Sequence, residues 1–306
     1  MTGGTGSAWM VTMDEPLQDT EIPTVERVAA YLARIGAERP ARAGAAELAR
    51  LQEAHLDAVP FENLSIHLGE PVVLEPEALL EKVVGRRRGG FCYELNGAFA
   101  GLLRALGYRV ELLAARVFDG AEPGPPFDHL ALRVEADGVA WLVDVGFGRF
   151  ARRPLRLDER GPQQDPAGVF TVTPSAGDPG AVTPGAVTPS AVTPGAGGAG
   201  DLDVALDGAP QYRLDPRPYR LADFTPTCWW QTTSPDSHFT RATTCSRPTP
   251  DGGRTTLTST RATGGTRLLR TAPDGTRTEE LLDADAALSA YRTHFGLVLD
   301  RLPTAP

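Results

Sequence analysis

One cysteine lies where a chain can carry a nucleophile. Cys92 follows the pair Gly89-Gly90 and begins a strongly apolar helical pattern. A helix dipole places partial positive charge at the N-terminus, which favours a thiolate over a thiol, and the thiolate is the reactive form. The glycines allow backbone geometry that side chains forbid, so a substrate carbonyl can approach the sulfur and the nearby amides. These features predict that Cys92 is a nucleophile.

A thiolate nucleophile usually works with a histidine that accepts its proton and a third group that orients the histidine. Of the five histidines, His129 lies in a predicted hairpin that turns at Asp137-Gly138. If those two residues form the whole loop, Asp144 lies opposite Ala131, diagonal to His129 on the same face. The register therefore predicts a base beside its orienting acid. A loop of odd length would move the acid to the opposite face.

The other cysteines and histidines carry weaker signals. Three cysteines without metal-type spacing indicate neither a disulfide framework nor a zinc site, so no metal ligands are predicted. Cys228 and Cys245 are interpreted as inert core residues. An alternative carboxylate, Asp128, adjoins His129, but strand alternation points it to the opposite face. The histidines expected to be structural or exposed are His55, His67, His238 and His294.

Helical patterns precede and include the cysteine. Apolar periodicity predicts helices over residues 24–35, 48–56 and 76–84. The helix that begins at Cys92 has apolar residues three or four positions apart and ends at Gly107. Such a helix anchors the nucleophile on a well-packed element.

After the cysteine helix the pattern changes to strands rich in β-branched and aromatic residues. The predicted strands span residues 108–118, 127–135, 139–145, 255–261, 266–270 and 276–282, and a helix at residues 285–295 follows. Residues 171–200 consist largely of Ala, Val, Thr, Pro and Gly in near-verbatim repeats, which predicts a low-complexity surface insertion. Residues 1–22 are mostly polar and Gly-rich and are expected to form a loose tail.

The charge balance restricts the class of partner. The chain has 306 residues and a formal charge of −9, which argues against nucleic acid or an anionic membrane as the main partner. Without a signal-like N-terminus or a spanning apolar run, the expected location is the cytoplasm. The run Arg86-Arg87-Arg88 is most simply a solvated loop. Its alternative roles are raising the potential near the thiolate and attracting an anionic cofactor.

Four stretches together resemble the arylamine N-acetyltransferases. They are Arg88-Gly89-Gly90-Phe91-Cys92-Tyr93-Glu94-Leu95-Asn96, Val59-Pro60-Phe61-Glu62-Asn63-Leu64, Asp144-Val145-Gly146-Phe147-Gly148 and Ser234-Pro235-Asp236-Ser237-His238-Phe239. The resemblance covers roughly residues 24–295 outside the insertion. It implies a catalytic triad of Cys92, His129 and Asp144, and the hairpin register independently predicts that the last two lie together.

The resemblance also implies a fold and a reaction. The fold is α+β, with helices resembling a cysteine protease core at residues 23–107, a β-barrel at residues 108–221 and an α/β lid at residues 222–306. The reaction is ping-pong transfer of acetyl from acetyl-CoA, through a cysteine thioester, to an arylamine, arylhydrazine or arylhydroxylamine. No metal takes part in it.

The substrate contacts are less specific. Expected substrate or CoA contacts are Val117, Phe127, Asp128, Phe147 and Gly148. Together with Phe61, the two phenylalanines are candidate apolar walls that select neutral aromatic amines, and ordinary core packing is the alternative. Many relatives carry a small or hydroxyl residue at the position of Asp128. An acidic group there is expected to alter the amine preference or disfavour the usual acyl donor.

Three other functions use similar groups. A macrolactam-forming amide synthase has the same triad but takes a carrier-protein-bound polyketide, which an internal aromatic amine releases. A papain-like cysteine protease also uses cysteine, histidine and an orienting group. A binding protein that kept the fold without activity is the third alternative. Acceptance of acetyl-CoA, rather than of long acyl thioesters or peptide esters, would distinguish an arylamine N-acetyltransferase from these three alternatives.

Overall fold

The computed structural model describes residues 23–175, 200–260 and 265–304. The predicted tail and residues 176–199 of the predicted insertion lie outside this part of the chain. The described helices are α1 (Val25–Ile35), α2 (Ala45–Ala58), α3 (Leu64–Leu68), α4 (Pro76–Leu80), α5 (Cys92–Ala105), α6 (Thr225–Thr233), α7 (His238–Arg241) and α8 (Ala284–Phe295). The described strands are β1 (Phe61–Glu62), β2 (Arg109–Asp119), β3 (Glu122–Pro123), β4 (His129–Ala136), β5 (Val139–Val143), β6 (Leu155–Arg156), β7 (Gln163–Asp165), β8 (Gly168–Pro174), β9 (Leu202–Leu206), β10 (Ala209–Tyr219), β11 (Ala242–Pro248), β12 (Arg254–Thr260), β13 (Thr266–Thr271) and β14 (Arg277–Leu282).

The α5 helix forms part of the main core. Its residues Leu95, Phe99, Leu102 and Leu103 are fully buried, and the helix packs against α4, β2 and β4. Each large apolar side chain removed from water stabilises the fold by about 1.5–3 kcal/mol. A helix buried on several sides in this way gives its first residue a fixed position.

Two sheets complete the α+β fold. Strands β6, β5, β4, β2, β10, β9, β8 and β7 pair in that order, with β3 beside β2. Residues from both ends of this order, Leu155 in β6 and Phe170 in β8, share one core, so the sheet curls into a nearly closed barrel. The second sheet has the order β1, β11, β12, β13 and β14, and α8 packs on it. No helix in the described part of the chain is long and apolar enough to cross a membrane.

The third predicted helix differs from the expectation of one regular helix up to residue 84. The α-helix ends at Leu80 and continues as a wider turn over Glu81–Gly85, where the Arg86 N–H donates to the Glu81 carbonyl at 2.8 Å. This widening places Lys82 inside the protein, where its Nζ pairs with Glu94 at 2.5 Å. A buried ion pair thus accompanies the change of helix type.

The predicted start of the insertion at residue 171 is wrong. Residues Thr171 to Pro174 belong to β8 and pair with β9, with Val172 opposite Val204. Both valines are fully buried. The alternation of valine and threonine is therefore the core pattern of a strand, although its composition matches the repeats that follow.

The β4–β5 hairpin has the predicted register. Ala136 pairs with Val139, and the pairing continues to Leu132 opposite Val143. The turn residues Asp137 and Gly138 have φ values of 51° and 74°, the left-handed geometry that two-residue hairpin loops require. The strand ends at Val143, so Asp144 follows directly after the last pair.

The hairpin turn gives a stability prediction. We expect Gly138→Ala to lower the free energy of unfolding by about 1–2 kcal/mol, because an alanine is strained in left-handed geometry. A Cβ at Gly138 meets no atom within 4 Å, so the loss comes from the backbone alone. Urea denaturation measures it, with Gly138→Asn as the matched control, since asparagine tolerates this geometry better. Equal losses in the two variants would contradict the explanation.

Candidate active site

The Asp144 carboxylate is buried and accepts several hydrogen bonds. The His129 ring lies with Nε2 at 2.7 Å from Oδ2, and the Tyr212 hydroxyl donates to the same oxygen at 3.2 Å. The Asn96 amide and the Gly146 N–H each donate to Oδ1 at 2.9 Å. An ionised carboxylate only accepts, so His129 carries its proton on Nε2 and leaves Nδ1 free to accept one. The contact therefore fixes the orientation and the tautomer of the ring.

The nucleophile candidate lies where α5 meets β4. Cys92 is the first residue of α5, and the backbone of Leu130, next to His129 in the chain, is close enough to lower the pKa of its thiol. A Cβ built on Gly146 would lie 2.7 Å from the Cys92 Cα, so only glycine fits between the cysteine and the loop after β5. The structure thus brings Cys92, His129 and Asp144 into one buried cluster.

The ionisation of Cys92 differs from the prediction of a favoured thiolate. Burial raises the pKa of this thiol well above its usual range, and the negative charges of Asp128 and Asp144 raise it further. The backbone of Leu130 acts in the opposite direction and lowers the pKa. Complete burial can shift a pKa by several units, whereas a helix terminus supplies only about 0.3–1 kcal/mol at an exposed site. Desolvation therefore outweighs the helix dipole.

The two glycines before the cysteine also have a different role from the one predicted. Neither has a positive φ. A Cβ on Gly89 would lie 2.0 Å from the Pro60 carbonyl oxygen, and one on Gly90 would lie 2.7 Å from the Glu94 side chain. Close packing is the reason for these glycines. They let the chain before Cys92 lie directly against neighbouring groups.

The expectation of a solvated loop at Arg86-Arg87-Arg88 is wrong for the last residue. Arg88 is buried and donates to Glu62 through Nε at 2.9 Å and through a terminal nitrogen at 3.1 Å. Burial alone would raise the pKa of Glu62, but Lys82 and Arg88 together lower it. The pair links β1 to the turn that carries the cysteine.

The loop before His129 is held by α5. The Tyr93 hydroxyl donates to the Phe127 carbonyl at 2.8 Å and is 3.2 Å from that of Asp128. Phe127 has a φ of 61°, a geometry uncommon for a bulky residue. Its ring packs edge-on against Tyr219 and Phe224. Hydrogen bonds and ring packing together hold this strained position.

Three further residues of the predicted set lie around the cluster. Phe147 packs edge-on against the His129 ring, with centroids 5.1 Å apart. Gly148 has a φ of 90°, and a Cβ there would lie 3.9 Å from the Phe61 ring. Val117 lies near the site, where its backbone lowers the pKa of the Asp128 carboxyl.

A cavity of about 560 Å³ adjoins the cluster. It extends from Asp144 and Phe147 towards the turns of the second sheet, and Arg149, Arg152 and Arg254 line it. Burial, together with the charges of Arg149 and Arg152, lowers the pKa of Arg254 to about 10. A terminal nitrogen of Arg152 is buried without a partner among the described residues. Such a cavity favours an anionic group.

The sequence of the chain is similar to those of known proteins. A family profile described as N-acetyltransferase matches residues 45–303. The chain is 34% identical over 215 residues to a pineal gland isozyme of arylamine N-acetyltransferase from Gallus gallus, covering 68% of this chain and 73% of the relative. It is 31% identical over 231 residues to the arylamine N-acetyltransferase of Escherichia coli K12, covering 75% of each.

A solved structure extends the similarity to the fold. Mycobacterium marinum arylamine N-acetyltransferase in complex with CoA superposes with a TM-score of 0.71 at 30% identity, covering 88% of this chain and 92% of that chain. The chain belongs to the arylamine N-acetyltransferase family. The resemblance predicted from the four sequence stretches is confirmed, and the chain is an acyltransferase of this family.

The other cysteines and histidines of this N-acetyltransferase are not part of the cluster of Cys92, His129 and Asp144. Cys228 and Cys245 are buried, and burial raises the pKa of Cys228 to about 12. Burial lowers the pKa of His55 to about 3, and its ring contacts the Tyr31 hydroxyl at 3.2 Å. No group of metal-ligating side chains occurs among the residues the structure describes.

Several residues around Cys92 were not assigned roles from the sequence. Asn96 bridges α5 to β4 and to the loop after β5, because it donates to Leu130 and Asp144 and accepts from Val145. Its position four residues after Cys92, on the same helix face, is the signal that marks it. Tyr212 reaches the site through β10, and no local sequence pattern indicates this.

The raised thiol pKa gives a prediction for alkylation. In the wild type we expect iodoacetamide to label Cys92 near neutral pH, because His129 accepts the proton. In His129→Ala the rate of labelling at about pH 7 should fall roughly a hundredfold. The rate should rise only at pH values above those at which a free cysteine thiol ionises. Mass spectrometry of the labelled peptide across pH measures this.

His294→Ala, which removes a histidine of α8, is the matched control and should leave the profile unchanged. A wild-type profile identical to that of His129→Ala would contradict proton transfer to His129.

Proposed function

We propose that the protein transfers acetyl from acetyl-CoA to the nitrogen of arylamines, arylhydrazines or arylhydroxylamines by a ping-pong mechanism. The observation that carries the proposal is the buried contact between His129 and Asp144, next to a cysteine that begins a helix. Cysteine, histidine and aspartate are the groups that acyl transfer through a thioester needs.

In the first half of the reaction, the Cys92 thiol gives its proton to Nδ1 of His129 as the sulfur attacks the acetyl carbonyl. A carbon–sulfur bond forms, and the backbone amides near Cys92 stabilise the oxyanion. The intermediate collapses with loss of CoA thiolate, which takes the proton from His129. The acetyl group remains on Cys92 as a thioester.

In the second half, the amine nitrogen attacks the thioester carbonyl and loses a proton to His129. The carbon–sulfur bond breaks, and the cysteine sulfur recovers the proton. Asp144 accepts from Nε2 throughout and stabilises the imidazolium. Because burial penalises an isolated thiolate, direct transfer of the proton between sulfur and imidazole avoids a single uncompensated charge.

We assign the arginine cavity to the anionic part of the acyl donor. Its volume of about 560 Å³ lies within the range of small-molecule sites. The Arg254 guanidinium hydrogen-bonds only neutral groups in the described contacts, the Ser246 hydroxyl and the Gly148 carbonyl. Phosphate groups are strong acceptors for guanidinium, so the phosphates of CoA suit this cavity. The relative crystallised with CoA supports the same donor class.

The acceptor site is proposed on the apolar side of the cluster. Phe147 stands against His129, and Phe127, Val117 and Gly148 complete the proposed contacts. Aromatic amines are weakly basic and neutral near pH 7, so they attack without first losing a proton, and apolar walls select them. We infer that strands β11 to β14 with α6 to α8, within residues 222–306, act as a lid over the helices at 23–107 and the barrel at 108–221.

The acetyl-enzyme is the direct test of this function. Intact-mass analysis after mixing with acetyl-CoA should show one acetyl group, and an arylamine should discharge it. Cys92→Ala and His129→Ala should each abolish the adduct, because one lacks the sulfur and the other lacks the base. Cys228→Ala, which removes another buried thiol, should retain it. An adduct in Cys92→Ala, or capture of only long acyl thioesters, would contradict the proposal.

The donor assignment gives a separate kinetic prediction. Arg254→Gln and Arg149→Gln should each raise KM for acetyl-CoA about tenfold, because each loses a charge-assisted contact to phosphate. Their reaction with para-nitrophenyl acetate, which has no phosphate, should stay near that of the wild type. Steady-state kinetics with both donors measures the difference, and the exposed Arg156→Gln is the control. Equal losses with both donors would point to damage of the site.

A further inference from the structure

A second carboxylate, Asp128, lies beside the nucleophile and has no role in the proposed chemical steps. The Gln231 amide donates to its Oδ1 at 2.6 Å. This donor is neutral, so it holds the carboxylate in place without cancelling its charge.

The carboxylate is fixed from several sides. The Gln231 side chain is buried, and its own amide oxygen accepts from the Ser237 hydroxyl at 2.8 Å. The Tyr93 hydroxyl contacts the Asp128 carbonyl at 3.2 Å. Helices α5 and α6 therefore both restrain this residue, and its negative charge has a defined position relative to Cys92.

The charge of Asp128 lies close to the nucleophile, because Asp128 directly precedes His129 and its carbonyl contacts Tyr93, the residue after Cys92. Burial is the main cause of the raised pKa of Cys92, and the charge of Asp128 raises this pKa further. Other titratable groups near Asp128 are Tyr93 in α5, His129 in β4 and His238 in α7. A group bound beside the sulfur therefore lies in the field of Asp128.

We propose that Asp128 is a specificity-determining residue that favours acceptor amines carrying a second, positively charged group and disfavours those carrying a carboxylate. The inference rests on the proposed acetyl transfer. Asp128 does not line the arginine cavity proposed for the donor. The site then separates its substrates by charge, with arginines facing the anionic donor and Asp128 facing the acceptor.

The field at the sulfur can be measured without any acetyl transfer. Iodoacetamide and iodoacetate alkylate Cys92 by the same chemistry but differ in charge, so the ratio of their rates reports the local potential. Asp128→Asn should lower the iodoacetamide-to-iodoacetate ratio about five- to tenfold, as expected for removal of one nearby, partly desolvated charge. Asp128→Glu should restore the ratio. Assays at about pH 8 keep the carboxyl ionised, although burial raises its pKa.

Two controls separate charge from structure. Asp119→Asn removes an exposed carboxylate from β2 and should leave the ratio unchanged. Thermal melting checks that each variant folds. If Asp128→Asn alters both alkylation rates equally, the residue only supports the structure and the proposal is overturned.

The acceptor preference is then measured with three amines of similar shape: para-aminobenzamidine, para-aminobenzamide and para-aminobenzoate. In the wild type kcat/KM should fall in that order from cation to anion. Asp128→Asn should reduce the spread between cation and anion about fivefold or more, and Asp128→Glu should restore it. An unchanged spread overturns the proposal even if the alkylation ratio changes. Absence of acetyl transfer to all three amines overturns the proposed function, while the alkylation ratio still reports the charge of Asp128.

Discussion

The buried contact between His129 and Asp144 is the interaction on which the site depends. A carboxylate removed from water is tolerated only when its oxygens accept enough hydrogen bonds, and four donors meet this requirement. These donors come from α5, β4, β10 and the loop after β5. The contact therefore exists only when the cysteine helix and the barrel are assembled together. Removing Asn96 or Tyr212 would leave part of a buried charge unpaired, which makes both residues part of the site although neither is a proposed reacting group.

The sequence was sufficient to predict this contact because its determinants are local. A two-residue turn at Asp137-Gly138 fixes which residues of the hairpin face each other, and the paired strands follow that register to Val143. The start of α5 at Cys92 was predictable for the same reason, since the periodicity of the helix is a local pattern. The strands between residues 155 and 219 were not predicted individually from the sequence. Their alternation of apolar and polar residues is weak, and their pairing partners are not set by a local pattern.

Burial and long-range pairing could not be predicted in the same way. Tyr212 contacts Asp144 only because β10 pairs with β2, and Gln231 reaches Asp128 only because α6 packs over the loop before His129. The ionisation of Cys92 had the wrong predicted direction, since the chain indicates a helix terminus but not how much water the fold excludes. The direction of a pKa shift depends on how far the group is removed from water, and only the assembled structure shows this.

The same desolvation explains how a weakly acidic thiol suits the proposed chemistry. An exposed thiolate would be more nucleophilic at rest, but its acetyl thioester would also face water, and hydrolysis would compete with the amine. The buried Cys92 thiol gives its proton to His129 as the sulfur attacks, because burial raises the pKa of the thiol. The two groups then become charged together, and each charge stabilises the other. On this argument the fixed charges of Asp128 and Arg254 also act on the substrates, because partly buried charges are screened less than exposed ones.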